Sequence, residues 1–210
     1  MLKVGLTGAI ASGKSVVGEM LVEQGAHLVQ ADRIAHALMS PGQAVYNQVV
    51  GHFGVAILNS DLTVNRARLA EAVFGTAAAP TPSRVEELNR IVHPAVLRSQ
   101  QDWMEEMGRQ DPRAIAIVEA ALILEAGAAW QFDCLIVVTC SAEQRVARFA
   151  ARQKIGIEAA RSEVERRMAA QLPEAEKVKA ADYIVDNSGP LAHTQSQVSQ
   201  IWRKLRARNP

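Results

Sequence analysis

The chain has 210 residues, of which 49% are hydrophobic and 21% charged, so it can bury the core of one ordinary globular domain. Its 23 basic and 22 acidic residues leave a formal net charge of +1. This balance does not support general binding to nucleic acids or to membrane surfaces, and any strongly cationic site must be local.

Targeting signals and cysteine spacing indicate the compartment. The first residues lack the basic and long apolar regions of a signal peptide, and no run of 18 apolar residues occurs. Cys134 and Cys140 fit neither a zinc pattern nor a CxxC redox pair, so we expect buried free thiols. These features predict a protein of the reducing cytoplasm that has no membrane partner.

Apolar runs alternate with helical patterns along the chain, which is typical of a layered α/β fold with a parallel sheet. Strands are predicted at 2–7, 27–30, 114–118, 135–139 and 183–185. Helices are predicted at 14–24, 33–39, 142–152, 158–171 and 191–206. Residues 42–110 show helical patterns without a convincing buried strand, so we interpret them as a mostly helical insertion, with the Ala/Pro-rich stretch 76–82 as a loop.

The first predicted strand leads into a phosphate-binding loop. Residues 8–15, GAIASGKS, satisfy the pattern G-x-x-x-x-G-K-[ST] between a strand and a helix. Backbone N–H groups of such a loop point at anionic oxygens, and the N-terminus of the following helix adds positive potential. Lys14 can reach the β- and γ-phosphates of a nucleotide, and the Ser15 hydroxyl can ligate Mg²⁺. The pattern therefore predicts nucleotide binding.

The residue after the third predicted strand helps to distinguish an ATPase from a kinase. P-loop ATPases usually carry an aspartate at the end of a second strand, whereas the strand at 114–118 is followed by Glu119. The absence of aspartate weakens the assignment to an ATPase machine. The short chain and its helical insertion favour a kinase of small metabolites, whose acceptor needs a pocket of its own.

Asp32 follows the second predicted strand. Ligands of open parallel sheets gather at the carboxyl ends of the strands, where a carboxylate can orient or accept the proton of an acceptor hydroxyl. The alternative is that Asp32 caps the helix at 33–39. The phosphate loop earlier in the chain favours the functional role.

A basic helical segment follows the fourth predicted strand. Arg145, Arg148 and Arg152 have the spacing i, i+3, i+7 and so share one helix face. Such charge could stabilise a transferring phosphoryl group on a segment that closes over the site. The alternative is a solvated face with pairs such as Glu163–Arg167, and this interpretation is preferred for Arg161 and Arg166.

The stretch 186–190, DNSGP, follows the last predicted strand and is first of all a turn. Its amide and backbone groups could also hydrogen-bond the edge of a nucleobase. The basic run at 203–208 is most simply a charged helix end.

In order and spacing, the chain resembles the dephospho-coenzyme A kinases from residue 2 to about 202. The resemblance is carried by the phosphate loop, by Ala31-Asp32, and by the segments 89–94 (NRIVHP), 122–125 (LILE), 132–133 (FD), 148–152 (RFAAR), 167–171 (RMAAQ) and 181–189. The His-Pro pair and the two arginines spaced by three residues have no place in the generic P-loop pattern, so the resemblance is specific.

This resemblance implies a P-loop NTPase-type sheet flanked by helices, with a nucleotide-binding core at about 1–40, 111–150 and 180–210. It further implies a helical acceptor subdomain at about 41–110 and a basic lid at about 151–172. ATP with Mg²⁺ would be the phosphate donor and dephospho-CoA the acceptor, phosphorylated on its ribose 3′-hydroxyl to give coenzyme A. The expected partners are these small molecules alone.

The resemblance also implies roles for individual residues. Asp32 would be the acceptor-side carboxylate, Arg148 and Arg152 would face the phosphates together with Lys14, and Arg66 and His93 would contact the acceptor. For His93 the alternative is a packed histidine that ends a helix before Pro94. The nucleotide would be held by Gly8, Ala11, Ser12, Gly13, Lys14, Ser15, Val16, Asn187 and Gly189, with Asn187 and Gly189 near the adenine.

The chain departs from the family pattern at five positions. Alanine stands at 9 and 11 where the family usually has glycine, which affects any positive-φ geometry in the loop. Gln30, Ala121 and Arg145 stand where aspartate, proline and glutamine are usual. The competing functional predictions are a nucleoside or nucleotide kinase and a regulator that hydrolyses nucleotide slowly.

Overall fold

A parallel sheet carries the phosphate loop. The computed structural model describes residues 1–75 and 83–209, so the loop predicted at 76–82 lies outside the described residues. Within them the sheet has five strands: β1 Leu2–Gly8, β2 His27–Gln30, β3 Ile115–Glu119, β4 Cys134–Thr139 and β5 Tyr183–Asp186. Their order is β2-β3-β1-β4-β5 and every pairing is parallel. The central strand β1 therefore ends between the carboxyl ends of β3 and β4.

Helices connect these strands. They are α1 Lys14–Glu23, α2 Ala31–Leu38, α3 Ala44–Phe53, α4 Arg66–Phe74, α5 Val85–Gln110, α6 Ala142–Gln153, α7 Ile157–Ala169, α8 Glu174–Lys179 and α9 Leu191–Arg208. Short 3₁₀ turns occur at Val55–Ile57 and Ala129–Gln131. Over residues 1–75 and 83–209, no helix combines the length and the apolar character that crossing a bilayer requires.

The main core lies between the sheet and two helices. The inner strands are buried along most of their length, as their near-continuous apolar sequences predict. Apolar residues of α1 and α9 pack against β1, β3, β4 and β5 in one buried cluster. At Gly5 in β1, an added Cβ would lie 2.5 Å from Leu135 Cδ2, so a larger residue there would require the Leu135 side chain to move. These contacts confirm the predicted α/β fold.

The chain forms two compact units. The first comprises Met1–Gln30 together with the chain from Met104 onward, and it contains the sheet and the phosphate loop. The second comprises Ala31–Trp103 and has a separate core, in which Val49, Ile57 and Val73 are almost fully buried. This core is built from α2, α3, α4 and the first part of α5.

The boundaries of the helical unit differ from the sequence-based interval of about 41–110. The unit begins at Ala31 because Ile34 and Leu38 of α2 pack onto its core. It ends at Trp103, since the last turns of α5 belong to the first unit. Pro94 lies inside α5, so the alternative in which His93 ends a helix before Pro94 was wrong. Proline removes one backbone donor, but the apolar pattern of a 26-residue helix continues beyond it.

Candidate functional site

The phosphate loop begins where β1 approaches β4 closely. Gly8 has a φ of +151°, and an added Cβ would lie 2.3 Å from the Val138 carbonyl oxygen. Glycine is therefore required at the start of the loop for both backbone conformation and space. The loop then turns into the N-terminus of α1 at Gly13, whose φ is +96°. This geometry directs the positive end of α1 toward the space that the loop encloses.

The two alanines that replace the usual glycines differ in conformation. Ala11 has a φ of 54°, in the left-handed region, whereas Ala9 is not among the positive-φ residues of the described chain. Of these two alanines, only Ala11 therefore has a strained backbone conformation. Ala11 and the buried Ile10 pack against a cluster formed by α6 and α7, with Phe149 and Val164 at its centre. Apolar contacts therefore connect the loop to the predicted lid segment.

Lys14 is the first residue of α1 and folds back over the loop. Its Nζ donates hydrogen bonds of 3.0 Å to the carbonyl oxygens of Gly8 and Ala9. The ammonium group is thus held above the loop as a positioned positive charge. This is where a nucleotide's outer phosphates would need it.

Ser15 is linked to a carboxylate that the sequence interpretation undervalued. The Ser15 hydroxyl donates a 2.8 Å hydrogen bond to Glu119 Oε1 at the end of β3. Gln30 Nε2 donates a bond of the same length to Glu119 Oε2. Glu119 is buried, and both of its oxygens are thereby oriented. The signal in the sequence was an acidic residue directly after a buried strand, and glutamate fills the position where aspartate was sought.

Arg148 of α6 contacts the loop from the side. Its Nη1 donates to the Ser12 carbonyl oxygen at 3.3 Å, and its Nη2 donates to the Asn187 carbonyl oxygen at 2.9 Å. The guanidinium therefore bridges the phosphate loop and the segment after β5. The structure thus places Arg148 at the loop, and its contact with the phosphates stays a prediction.

Asn187 is buried beside the loop. Its Nδ2 donates to the Ser12 carbonyl oxygen at 2.9 Å, and its Oδ1 accepts a 2.9 Å bond from the Thr194 hydroxyl of α9. The amide that the sequence offered to a nucleobase is thus engaged within the protein. The interpretation of this stretch as a turn is also supported, because Asp186 Oδ1 accepts a hydrogen bond from the Ser188 N–H. The same bond lowers the pKa of the Asp186 carboxyl. Gly189 lies near His193, whose Nδ1 would be 3.1 Å from an added Cβ.

The three arginines of α6 do not act as one set. Arg145 is 3% exposed and is bound by Glu174 and by the Cys140 carbonyl oxygen, so it does not face a phosphate site. Arg152 is exposed and lies over the Phe149 ring, 5.6 Å from its centroid. The helical spacing was correct, but α8, which the sequence did not predict, supplies the acid that buries Arg145.

The predicted lid corresponds mainly to α7, which packs on α6. Ala160 and Val164 of α7 are buried in the cluster that contains Phe149. On its outer side, Glu163 pairs with Arg166 at 2.8 Å and Arg167 at 2.6 Å. Hydrogen bonds from these arginines, that of Arg166 foremost, lower the pKa of Glu163 to about 2. The surface-pair interpretation therefore holds for Arg166 and Arg167.

The second unit contains the three residues assigned to the acceptor. Asp32 is exposed in the first turn of α2, which starts at Ala31, so it is not the N-cap. Arg66 begins α4 and lines a cavity of about 250 Å³, together with His36, Met39, Ser40, Pro41, Thr63, Val64 and Leu69. His93 is half-buried in α5, and burial lowers the pKa of its imidazole.

Comparisons with known proteins identify the family of the chain. A family model described as dephospho-CoA kinase matches residues 2–193. The chain is 38% identical to a dephospho-CoA kinase of Geobacter metallireducens over 210 residues, covering 100% of both chains. It is 35% identical to that of Moorella thermoacetica over 205 residues, covering 98% of this chain and 92% of the other.

The fold is also that of a solved structure. A dephospho-CoA kinase from Campylobacter jejuni superposes with a TM-score of 0.69 at 22% identity, covering 99% of this chain and 98% of the other. The phosphate loop, its lysine and the five strands all lie within the residues that the family model matches. The chain belongs to the dephospho-CoA kinase family.

Proposed function

We propose that this kinase transfers the γ-phosphate of ATP to the 3′-hydroxyl of dephospho-CoA, giving coenzyme A and ADP. The observation that carries the proposal is the phosphate loop in a chain of this family. Lys14 is hydrogen-bonded to the loop, and Ser15 is hydrogen-bonded to Glu119 beside it. Phosphoryl transfer depends on positioning and on neutralising charge, and these residues supply both.

The Ser15 and Glu119 oxygens fit a magnesium ion. Mg²⁺ is usually held by one or two carboxylates, water and the substrate's phosphates, and so does not need a cage of protein ligands. The hydroxyl and the carboxylate already lie 2.8 Å apart, and Gln30 fixes the second carboxylate oxygen. When bound there, Mg²⁺ would neutralise part of the charge on the phosphates. Ser15 and Glu119 are the residues that would hold it.

Nucleotide binding would extend along the loop. The backbone of residues 8–16 would hold the phosphates, with Lys14 at the outer ones. The segment that contains Asn187 and Gly189 lies beside the loop through the bond of Asn187 to Ser12. This contact supports a location of the segment beside the adenine of ATP, which the backbone groups of the segment would contact.

The helical unit Ala31–Trp103 would bind the acceptor. Asp32 is exposed two residues after the end of β2, and its carboxylate would accept or orient the proton of the acceptor hydroxyl. Arg66 places a guanidinium beside a cavity with apolar and hydroxyl groups. That combination suits the diphosphate of dephospho-CoA together with apolar parts of the molecule. His93 would contribute a neutral imidazole, because burial lowers its pKa.

The segment 151–172 would act as the lid. It carries α7, which packs on α6 and on the phosphate loop through Ile10 and Ala11. Closure would exclude water from the phosphoryl group and bring Arg152 to it, beside Arg148, which already contacts the loop. Cys134 and Cys140 are buried free thiols, which supports a reducing cytoplasmic compartment.

A substrate panel tests this function. ADP release would be measured with dephospho-CoA, adenosine, AMP and no acceptor. The proposal predicts rapid, Mg²⁺-dependent release with dephospho-CoA only. Comparable release with adenosine or AMP would support a nucleoside or nucleotide kinase, and slow release that no acceptor accelerates would support a hydrolysing regulator.

A further inference from the structure

The phosphate loop binds anions only if its N–H groups face inward. In a planar trans peptide unit, the carbonyl oxygen and the N–H of the next residue point in opposite directions. An inward N–H at Gly13 therefore requires an outward carbonyl at Ser12. Whatever holds the Ser12 carbonyl outward also aims the Gly13 N–H at the phosphates.

Two donors hold that carbonyl oxygen. Asn187 Nδ2 lies 2.9 Å from it and Arg148 Nη1 lies 3.3 Å from it. The Asn187 bond is fully buried, since the residue is 4% exposed. A buried neutral hydrogen bond of good length fixes a peptide orientation more firmly than one shared with solvent.

Asn187 is itself fastened on several sides. Its Oδ1 accepts the Thr194 hydroxyl bond from α9, and Thr194 is fully buried. Its backbone N–H donates to the Thr139 carbonyl oxygen at 2.9 Å, and its own carbonyl oxygen accepts from Arg148 Nη2 at 2.9 Å. The Ser12 carbonyl oxygen can only accept, so the NH₂ end of the amide must face it, and the Thr194 hydroxyl holds the oxygen end in place.

Gly13 fits against this amide. An added Cβ at Gly13 would lie 2.1 Å from Asn187 Nδ2. Glycine is therefore needed at position 13 both for the positive φ of 96° and for the close approach of the amide. Loop and amide are complementary in shape as well as in hydrogen bonding.

We propose that Asn187, oriented by Thr194, is a positioning residue that holds the phosphate loop in its anion-binding conformation. This is a different role from recognition of the adenine base, for which the amide would have to give up one of its two buried bonds. The proposal rests on the loop as the ATP site and not on the identity of the acceptor.

The test measures binding of ADP, GDP and pyrophosphate by calorimetry to the wild-type protein and to Asn187→Asp and Thr194→Val. Asn187→Asp places a carboxylate oxygen against the Ser12 carbonyl oxygen, and Thr194→Val removes the hydroxyl that orients the amide. We expect the affinities for all three ligands to fall together by about tenfold, the effect of losing one buried hydrogen bond. The ratio of ADP to GDP affinity should stay unchanged.

Two further variants serve as controls. Thr194→Ser keeps the hydroxyl and should restore wild-type affinity. Gln197→Met removes two hydrogen bonds between α9 and the Asp186 backbone, next to Asn187 but without contact to the loop, and should leave all three affinities unchanged. Melting temperatures of all variants separate loss of binding from loss of folding.

Two results would overturn the proposal. A collapsed ADP to GDP ratio with intact pyrophosphate binding would show that Asn187 reads the base. Unchanged affinity for every ligand in folded Asn187→Asp and Thr194→Val would show that the loop needs no such support. If the wild-type protein bound neither ADP nor pyrophosphate, the proposed kinase function would fail as well, which is a distinct outcome.

Discussion

At the scale of single residues, Lys14 is held in place by the phosphate loop itself. Its ammonium group lies over the loop through two carbonyl contacts, and its side chain is only partly buried. We predict that Lys14→Ala lowers kcat by at least about 10²-fold, the usual effect of removing one group that stabilises transition-state charge. The free energy of unfolding should change by no more than about 1 kcal/mol.

The control for Lys14 is Lys179→Ala. Lys179 is an exposed surface lysine that pairs with Glu176 on α8 and should be dispensable for activity. Turnover and melting temperature would be measured for both variants. Normal turnover of Lys14→Ala would contradict the phosphate-loop assignment.

Substitution of Asp32 tests the proposal that its carboxylate acts on the acceptor hydroxyl. Asp32→Asn keeps the shape of the side chain and removes its basicity, so kcat should fall by about 10²–10⁴ with ADP affinity nearly unchanged. Asp102→Asn, at an exposed position on α5, is the matched control and should behave as wild type. If Asp32→Asn lowers the melting temperature and leaves kcat intact, the residue serves only the first turn of α2.

The cysteines give a test of burial that does not depend on activity. Burial raises the pKa of the Cys134 thiol to about 11, and Cys140 is also buried. Because the thiolate is the reactive form, we predict that a thiol reagent at pH 8 modifies neither cysteine in the native protein. Both should react in denaturant. Rapid labelling of Cys134 in the native state would contradict the described packing of β4.

At the scale of elements, the arginines of α6 separate stability from catalysis. Arg145→Ala leaves the partly buried Glu174 without its partner, and breaking such a pair costs roughly 3 kcal/mol. Arg152 is exposed, so Arg152→Ala should leave the melting temperature unchanged and lower kcat more than it raises KM for dephospho-CoA. The measurements are thermal unfolding and steady-state kinetics. Equal effects of the two variants on stability would contradict the different environments of these arginines.

The elements also show which parts of the structure the sequence could predict. The phosphate loop, β2 and α9 were predictable because glycine placement and apolar periodicity are local properties. Helix α8 was not predicted, since six residues after Pro173 show too short a pattern. A helix end before Pro94 was one of two alternatives for His93, because proline is locally unfavourable inside a helix, but α5 continues through it.

The site was predictable to the extent that its residues belong to the loop. Lys14 and Ser15 were found from the loop pattern, and Arg148 was singled out by the family resemblance. The roles of Glu119, Asn187 and Thr194 depend on contacts between strands and helices far apart in the chain, which spacing does not encode. Arg145 shows the same limit, because its partner Glu174 lies on another element.

At the scale of the whole molecule, the chain combines a sheet unit that carries the phosphate loop with a helical unit that has its own core and cavity. The division suits a kinase with a large acceptor, because donor and acceptor can each be bound by a separate surface. Much of the binding energy should come from parts of dephospho-CoA that do not react. A truncated acceptor such as adenosine should therefore lose kcat as well as affinity.

The central claim is tested most directly by identifying the phosphorylated product. ATP labelled at the γ-phosphate would be incubated with Mg²⁺ and, in parallel reactions, with dephospho-CoA, adenosine or AMP, and each product would be analysed by mass spectrometry and by NMR of the ribose. We predict that the label moves to the 3′-oxygen of dephospho-CoA, giving coenzyme A and ADP in equal amounts, and that Lys14→Ala slows this transfer by at least about 10²-fold. Label recovered only as inorganic phosphate, or transferred to adenosine or AMP at least as efficiently, would contradict it.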